Sequence, residues 1–155
     1  YVLLSSLILL LLYWQWRPMP TVIWQIENPV AILIINALFW LGWVLVFWSS
    51  FLINHFDLFG LRQVYLHFRG RDYTHLEFNT PMLYRLVRHP LMTGLIIAFW
   101  ATPVMTTGHL LFSVATTAYI FIGVWFEERD LIRFHGEKYV EYKKRVPAII
   151  PFLKR

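Results

Sequence analysis

The chain has 155 residues, of which 58% are apolar, 19% aromatic and only 15% charged. This composition excludes a water-soluble globule and predicts an integral membrane protein. The absence of cysteine excludes disulfides, thiolate metal sites and a cysteine nucleophile. The formal net charge of +5 is explained by Lys and Arg beside anionic lipid headgroups, so we expect no nucleic-acid partner.

The apolar runs predict an all-α membrane protein with about four transmembrane helices in this chain, and five in the full protein. The four predicted spans cover residues 1–16, 30–53, 91–107 and 110–126. The run from Tyr1 to Trp16 is interpreted as the remainder of a longer first span rather than as a signal peptide. The run from Val30 to Ile53 is the clearest span, because Asn36 is its only strongly polar residue.

The last two spans are expected to form a helical hairpin. No charged residue occurs between Leu91 and Phe126, and Pro103 and Gly108 supply turn and helix-breaking chemistry in the middle. Each arm then has about 17 residues, which is near the lower limit for a full span.

Basic residues fix the expected orientation. Five of the fourteen Lys and Arg fall in residues 54–90 and eight fall after residue 126, whereas the connection between the first two spans has only Arg17. By the positive-inside rule, the loop 54–90 and the tail 127–155 both face the cytoplasm. We expect a short helix around Leu61 to Phe68 and an amphipathic helix in the tail that ends at Pro147. The whole chain is treated as one domain.

Polar clusters flank the hairpin, with Arg88, His89 and Pro90 before it and Glu127 and Glu128 after it. A hairpin returns the chain to the side it left, so both clusters are expected at one membrane face. Taken alone, each cluster is typical of an ordinary helix terminus, since Pro suits a first turn and Arg can extend to lipid phosphates.

Common soluble sites are missing from the sequence. There is no GxGxxG, Walker A, HExxH or GxSxG pattern. The six histidines are scattered without HxxH or HxxxH pairs, so we expect no metal centre.

A specific resemblance comes from the motifs in combination. Residues 84–94, the Glu127-Glu128 pair and residues 135–147 resemble the isoprenylcysteine carboxyl methyltransferase and phospholipid methyltransferase superfamily. Members are membrane enzymes that use S-adenosyl-L-methionine without a Rossmann domain. Residues 54–63 and 98–112 are similar to its methanethiol S-methyltransferase branch, which is grouped with NnrU-like proteins. The resemblance covers roughly residues 30 to 155.

This resemblance implies a set of cofactor-binding residues. They are Phe78, Asn79, Tyr84, Arg88, His89, Pro90, Gly94, Glu127 and Tyr139. The residue types suit the ligand, because Glu127 and Glu128 can balance a sulfonium and an ammonium, while Arg88 or His89 can meet a carboxylate. One departure is Met92, which stands where many relatives have an aromatic residue.

Methyl transfer is an in-line displacement that proximity and desolvation accelerate, so no covalent enzyme intermediate is required. A thiol acceptor has a pKa of about 8.5, so a base would help to form the thiolate. The sequence offers four equal candidates for this catalytic base: His89, Glu128, Tyr84 and His55.

Three functions follow as hypotheses. The favoured one is a membrane thiol S-methyltransferase that converts methanethiol to dimethyl sulfide, in a bacterial inner membrane with its site on the cytoplasmic side. The second is an isoprenylcysteine carboxyl or phospholipid methyltransferase, and the third is a non-enzymatic NnrU-like accessory protein. The expected partners are a small thiol and the lipid bilayer, and the oligomeric state is open.

Overall fold

The computed structural model describes residues 2–52, 60–72 and 82–151. The described residues are mostly helical, at 74%. The α-helices in the described ranges are α1 (Val2–Gln15), α2 (Pro29–Leu52), α3 (Leu61–Phe68), α4 (Pro90–Trp100), α5 (Thr107–His135) and α6 (Glu137–Arg145). A 3-10 helix, Met82–Arg85, precedes α4, and two short strands are β1 (Val22–Gln25) and β2 (Val104–Thr106).

Helices α2 and α5 are long and apolar enough to cross a membrane, whereas α1 and α4 are shorter apolar helices. The described residues therefore support a membrane protein and contain two candidate spans, and the number of four stays a prediction. The helix expected around Leu61 to Phe68 is confirmed as α3.

The hairpin differs from the expected one in both arms. The first arm, α4, ends at Trp100 instead of residue 107, because the residue before Pro103 is disfavoured in the helical conformation. The second arm, α5, begins at Thr107 after an N-cap at Thr106, whose side chain accepts a hydrogen bond from the His109 N–H. It continues past the expected end at residue 126, since Glu and Arg are good helix formers and polarity alone does not end a helix.

The tail also differs from the single amphipathic helix that was expected. Gly136 has a φ of 58° and separates α5 from α6. Glycine adopts positive φ without a Cβ clash, so the chain can change direction there. Helix α6 then ends at Arg145, before Pro147.

The prediction of an all-α fold missed a two-stranded antiparallel sheet. Strand β1 pairs with β2, with Val22 opposite Thr106 and Trp24 opposite Met105. The ladder is extended by the Thr107 N–H, which donates to the Thr21 carbonyl over 2.8 Å. The sheet joins the α1–α2 connection to the hairpin turn, so these two segments lie at the same end of the molecule.

Helices α2 and α4 pack through direct backbone contact. A Cβ on Gly94 would lie 2.6 Å from the Gly42 carbonyl oxygen, and one on Gly42 would lie 2.7 Å from the Ala98 nitrogen. Small residues at such a crossing let two helices approach closely in a membrane. This packing fixes α4, and with it the residues at its first turn, against a membrane span.

Candidate active site

The first turn of α4 places a histidine at the centre of the site. His89 is the N-cap residue and Pro90 follows in the first turn, where its missing N–H costs no helical hydrogen bond. The His89 side chain is buried, with Nδ1 3.4 Å from Glu127 Oε2 and Nε2 3.3 Å from Glu128 Oε1. The two polar clusters that flank the hairpin therefore meet, as the hairpin geometry predicts.

A buried ion pair surrounds this histidine. Arg88 donates to one oxygen of Glu128, Oε1, from Nε over 2.7 Å and from Nη2 over 2.5 Å. The Nζ of Lys143 lies 2.7 Å from the other oxygen, Oε2. The side chains of Arg88 and Glu128 are only 8% and 9% exposed, so these charge-assisted hydrogen bonds are strong ones. Glu128 is thus occupied by two cations and a histidine.

The end of helix α6 completes the cluster. Arg88 Nη1 donates to the carbonyls of Lys143, over 3.1 Å, and of Val146. Carbonyls at a helix C-terminus lack helical partners, and a cation there also suits the helix dipole. Arg88 therefore joins α6 to the carboxylate on α5.

Three buried tyrosines form one side of the site: Tyr84, Tyr139 and Tyr142. The Tyr142 hydroxyl donates to the Tyr84 carbonyl, and the rings of Tyr139 and Tyr142 lie edge to face with centroids 5.8 Å apart. Burial raises the pKa of Tyr84 and of Tyr139 well above the usual range, and nearby Glu127 and Glu128 respectively add to this effect. These hydroxyls stay protonated near neutrality.

Glu128 and His89 have opposed pKa shifts. Glu128 lies beyond the uncharged apolar segment of α5, which ends at residue 126. Burial alone would raise its pKa, but hydrogen bonds from His89, Lys143 and Arg88 lower the pKa of Glu128 to about 2. Burial alone would lower the pKa of His89, yet its hydrogen bonds to Glu127 and Glu128 outweigh burial and raise it. Glu128 is therefore a fixed negative charge, and His89 gains protons more readily than usual.

The structure brings six of the residues predicted for the site into one cluster: Tyr84, Arg88, His89, Glu127, Glu128 and Tyr139. Pro90 is fully buried at the start of α4. Gly94 contacts Gly42 on α2, which gives it a packing role. The candidates that lie outside the described residues are His55, Phe78 and Asn79.

Sequence reasoning missed the role of Lys143, which it counts only among the basic residues beside lipid headgroups. A signal for its role is its position four residues after Tyr139, since side chains at that spacing share one face of a helix. Tyr142, one residue before it, also faces the cluster through its bond to Tyr84.

A cavity of about 620 Å³ lies elsewhere, between α1 and the start of α5. Its lining is mainly apolar and includes Leu9, Trp16 and Phe112. His109 also lines it, but its Nε2 donates to the Phe99 carbonyl over 2.8 Å. The acidic and basic residues of the cluster do not line this cavity. The cavity and the charged cluster are therefore two separate features of the described residues.

Comparisons with known proteins agree with the motifs. The chain is 55% identical over 155 residues to "Methanethiol S-methyltransferase" of Mycobacterium tuberculosis, covering 100% of this chain and 64% of the relative. It is 58% identical over 153 residues to "Methanethiol S-methyltransferase 2" of Bradyrhizobium diazoefficiens, covering 99% of this chain and 59% of that protein. "Nurim" of Sus scrofa is 30% identical over 140 residues, which cover 84% of this chain and 53% of Nurim.

No protein-family model matches the sequence, and no solved structure matches it. The chain spans between 59% and 64% of the length of the two bacterial relatives. Over nearly all of its own length it is a close relative of methanethiol S-methyltransferases, and the resemblance expected from the motifs is confirmed.

Proposed function

We propose that this chain is the catalytic part of a membrane methyltransferase that moves a methyl group from S-adenosylmethionine to methanethiol and releases dimethyl sulfide. The similarity to several proteins named methanethiol S-methyltransferase, at 54–58% identity, supports this reaction. The observation that carries the proposal is the meeting of the two motif clusters, with His89 between Glu127 and Glu128. Each cluster alone is an ordinary helix terminus, but together they form a charged, largely buried site beside a membrane span.

The groups present suit this cofactor, which carries a sulfonium, an ammonium and a carboxylate. Glu128 is neutralised by Arg88 and Lys143, whereas the Glu127 side chain is 50% exposed and has room to contact a ligand. We assign Glu127 to the positive centres of the donor, with His89 beside it. Pro90, Tyr84 and Tyr139 form the adjacent walls. Phe78 and Asn79, which the family resemblance implies as cofactor-binding residues, belong to the same proposal. Arg88 and Glu128 hold the site together, and Gly94 supports it through helix packing.

The bound donor supplies an electrophilic methyl group. Among the candidate bases, Glu128 has a pKa of about 2, which makes it a poor acceptor for the proton of a thiol with a pKa of about 8.5. The pKa of His89 is raised, so it lies closer to the pKa of the thiol than that of an ordinary histidine does. In its neutral form His89 would take the S–H proton, so that the acceptor sulfur could bond to the methyl carbon as the bond from that carbon to the donor sulfur breaks. His55 and Tyr84 remain the other candidates.

We propose that the site lies at the cytoplasmic side of a bacterial inner membrane. Basic segments on either side of the hairpin support this side. The sheet lies at the opposite end, beside the α1–α2 connection, whose only Lys or Arg is Arg17.

The test uses the full-length protein in detergent or nanodiscs, with methyl-labelled S-adenosylmethionine and methanethiol. We expect labelled dimethyl sulfide, detected by gas chromatography. Glu127→Gln and His89→Gln should each lower kcat/KM by at least about 100-fold, since acid–base and charge-stabilising groups contribute on that scale. Glu141→Gln is the matched control, because that carboxylate is 70% exposed and paired with Arg145.

Three outcomes would contradict the proposal. Failure to bind the donor would refute an enzyme of this type and leave the accessory-protein hypothesis. Binding followed by methylation of a prenylated cysteine or a lipid amine, but not of methanethiol, would move the assignment to the second hypothesis. Full activity in both site variants would show that the cluster is structural.

A further inference from the structure

Four consecutive carbonyls of the tail accept hydrogen bonds from the start of α4. We call residues 146–149 the tail strap. Arg88 Nη1 donates to the Val146 carbonyl, and the backbone N–H groups of Arg88 and His89 donate to Pro147 and Ala148 over 2.8 and 2.9 Å. The Thr93 hydroxyl donates to the Ile149 carbonyl over 2.8 Å. The strap is thus bound along its whole length to the segment that carries the histidine.

Local sequence explains why the strap adopts this path. Pro147 cannot continue a helix, and it favours an extended conformation at Val146, whose φ and ψ are −116° and 130°. The strap ends at Ile149, which is buried against Ile120 and Val124 of α5. Apolar burial of this side chain holds the strap in place.

Thr93 connects the end of the strap to His89 itself. Its side chain is buried, one helical turn after His89, and its oxygen lies 3.1 Å from the His89 carbonyl and 2.8 Å from the Ile149 carbonyl. Both neighbours are acceptors, so the single hydroxyl proton is shared between them. The hydroxyl therefore bridges the strap and the peptide group that follows the histidine.

The His89 backbone is held on both sides by these contacts. Its N–H donates to the Ala148 carbonyl over 2.9 Å, and its carbonyl oxygen lies 3.1 Å from the Thr93 hydroxyl oxygen. Because the ring orientation follows the backbone, the same contacts keep the ring between Glu127 and Glu128.

We propose that Thr93 is a positioning residue for His89, acting through the tail strap to hold the imidazole between the two carboxylates. This deepens the function proposed above, on which its catalytic consequence rests, but the positioning itself is a property of the chain without any donor. The charged and titratable groups around the histidine are Tyr84, Arg88, Glu127, Glu128, Tyr139, Tyr142 and Lys143.

The test compares Thr93→Val, which keeps the shape and removes the hydroxyl, with the conservative Thr93→Ser. Thr116→Val is the matched control, because that hydroxyl bonds to the carbonyls of Phe112 and Ser113 on its own helix, over 2.6 and 3.2 Å. The first readout is the titration of His89 in ¹⁵N-histidine-labelled protein without donor, assigned with His89→Gln. The second is the dissociation constant for S-adenosylmethionine by calorimetry.

In Thr93→Val we expect the His89 titration midpoint to fall, because the ring separates from the carboxylates, and donor binding to weaken about fivefold, which corresponds to about 1 kcal/mol. Thr93→Ser and Thr116→Val should keep the wild-type midpoint. An unchanged midpoint in Thr93→Val, or an equal fall in Thr116→Val, overturns the positioning role. If the midpoint falls as expected but the wild-type protein binds no donor, the positioning stands and the proposed function fails.

Discussion

Removal of the Glu128 charge should destabilise the protein strongly. In Glu128→Gln, Arg88 keeps a buried guanidinium, 8% exposed, that faces neutral oxygens instead of a carboxylate. Loss of one member of a buried ion pair costs about 3–5 kcal/mol, because the other charge stays uncompensated. Lys143 is 44% exposed and can be rehydrated, so we expect the lower part of this range, about 3 kcal/mol. The assay is unfolding in detergent micelles, followed by tryptophan fluorescence.

A double-mutant cycle separates this effect from a general loss of packing. Arg88→Met should cost a similar amount, and the double variant should cost less than the sum by about 2–3 kcal/mol, because it leaves neither charge alone. Asp130→Asn is the control, since its pair with Arg133 is 60% and 70% exposed and should contribute less than about 1 kcal/mol. Additive single effects would refute the coupling of Arg88 and Glu128.

Three further predictions follow. The folded-state pKa of Glu128 is depressed to about 2, so its ionised form stabilises the fold above the unfolded pKa of about 4. This stabilisation should be lost as the pH falls from there towards 2. Unfolding curves of Glu128→Gln should not show this loss of stability at low pH. Because the pKa of His89 is raised in the folded state, we expect a contribution to the free energy of unfolding that is full below about pH 6.5 and disappears as the pH rises through the folded-state pKa. If wild type and His89→Gln differ in free energy of unfolding by the same amount at every pH, this prediction is wrong. Gly94→Ala should destabilise by about 1–3 kcal/mol through overpacking against Gly42, whereas Gly123→Ala, with nothing within 4 Å of the new Cβ, should be neutral or slightly stabilising in the same thermal assay.

Long uniform patterns made part of the fold predictable. The 24 residues of α2 include Asn36 as their only strongly polar residue, so hydropathy alone locates this helix. The meeting of His89 with Glu127 and Glu128 was also predictable, because a hairpin constrains both of its ends. In each case one strong physical requirement, either burial in lipid or chain return, dominates local preferences.

The missed features depend on interactions between distant segments. Strand β2 has only three residues, and nothing local predicts that Val104–Thr106 pairs with a segment some 80 positions earlier. The break at Gly136 was masked by amphipathic spacing that continues on both sides of it. The sequence predicts only that Lys143 is one of the basic residues beside lipid headgroups, since it does not show that Glu128 is buried next to it.

Adjacent carboxylates on α5 have different environments for a geometric reason. Successive helical residues point about 100° apart, because a helix has about 3.6 residues per turn. Glu128 therefore faces Arg88 and Lys143, with its side chain 9% exposed, while Glu127 stays 50% exposed beside His89. One carboxylate is fixed by the protein, and its neighbour has room to meet a ligand. Because the fixed one is held by a cation from α6, the tail has to fold onto the hairpin before the site exists, so a change in the strap should affect the site as directly as a change in the motifs.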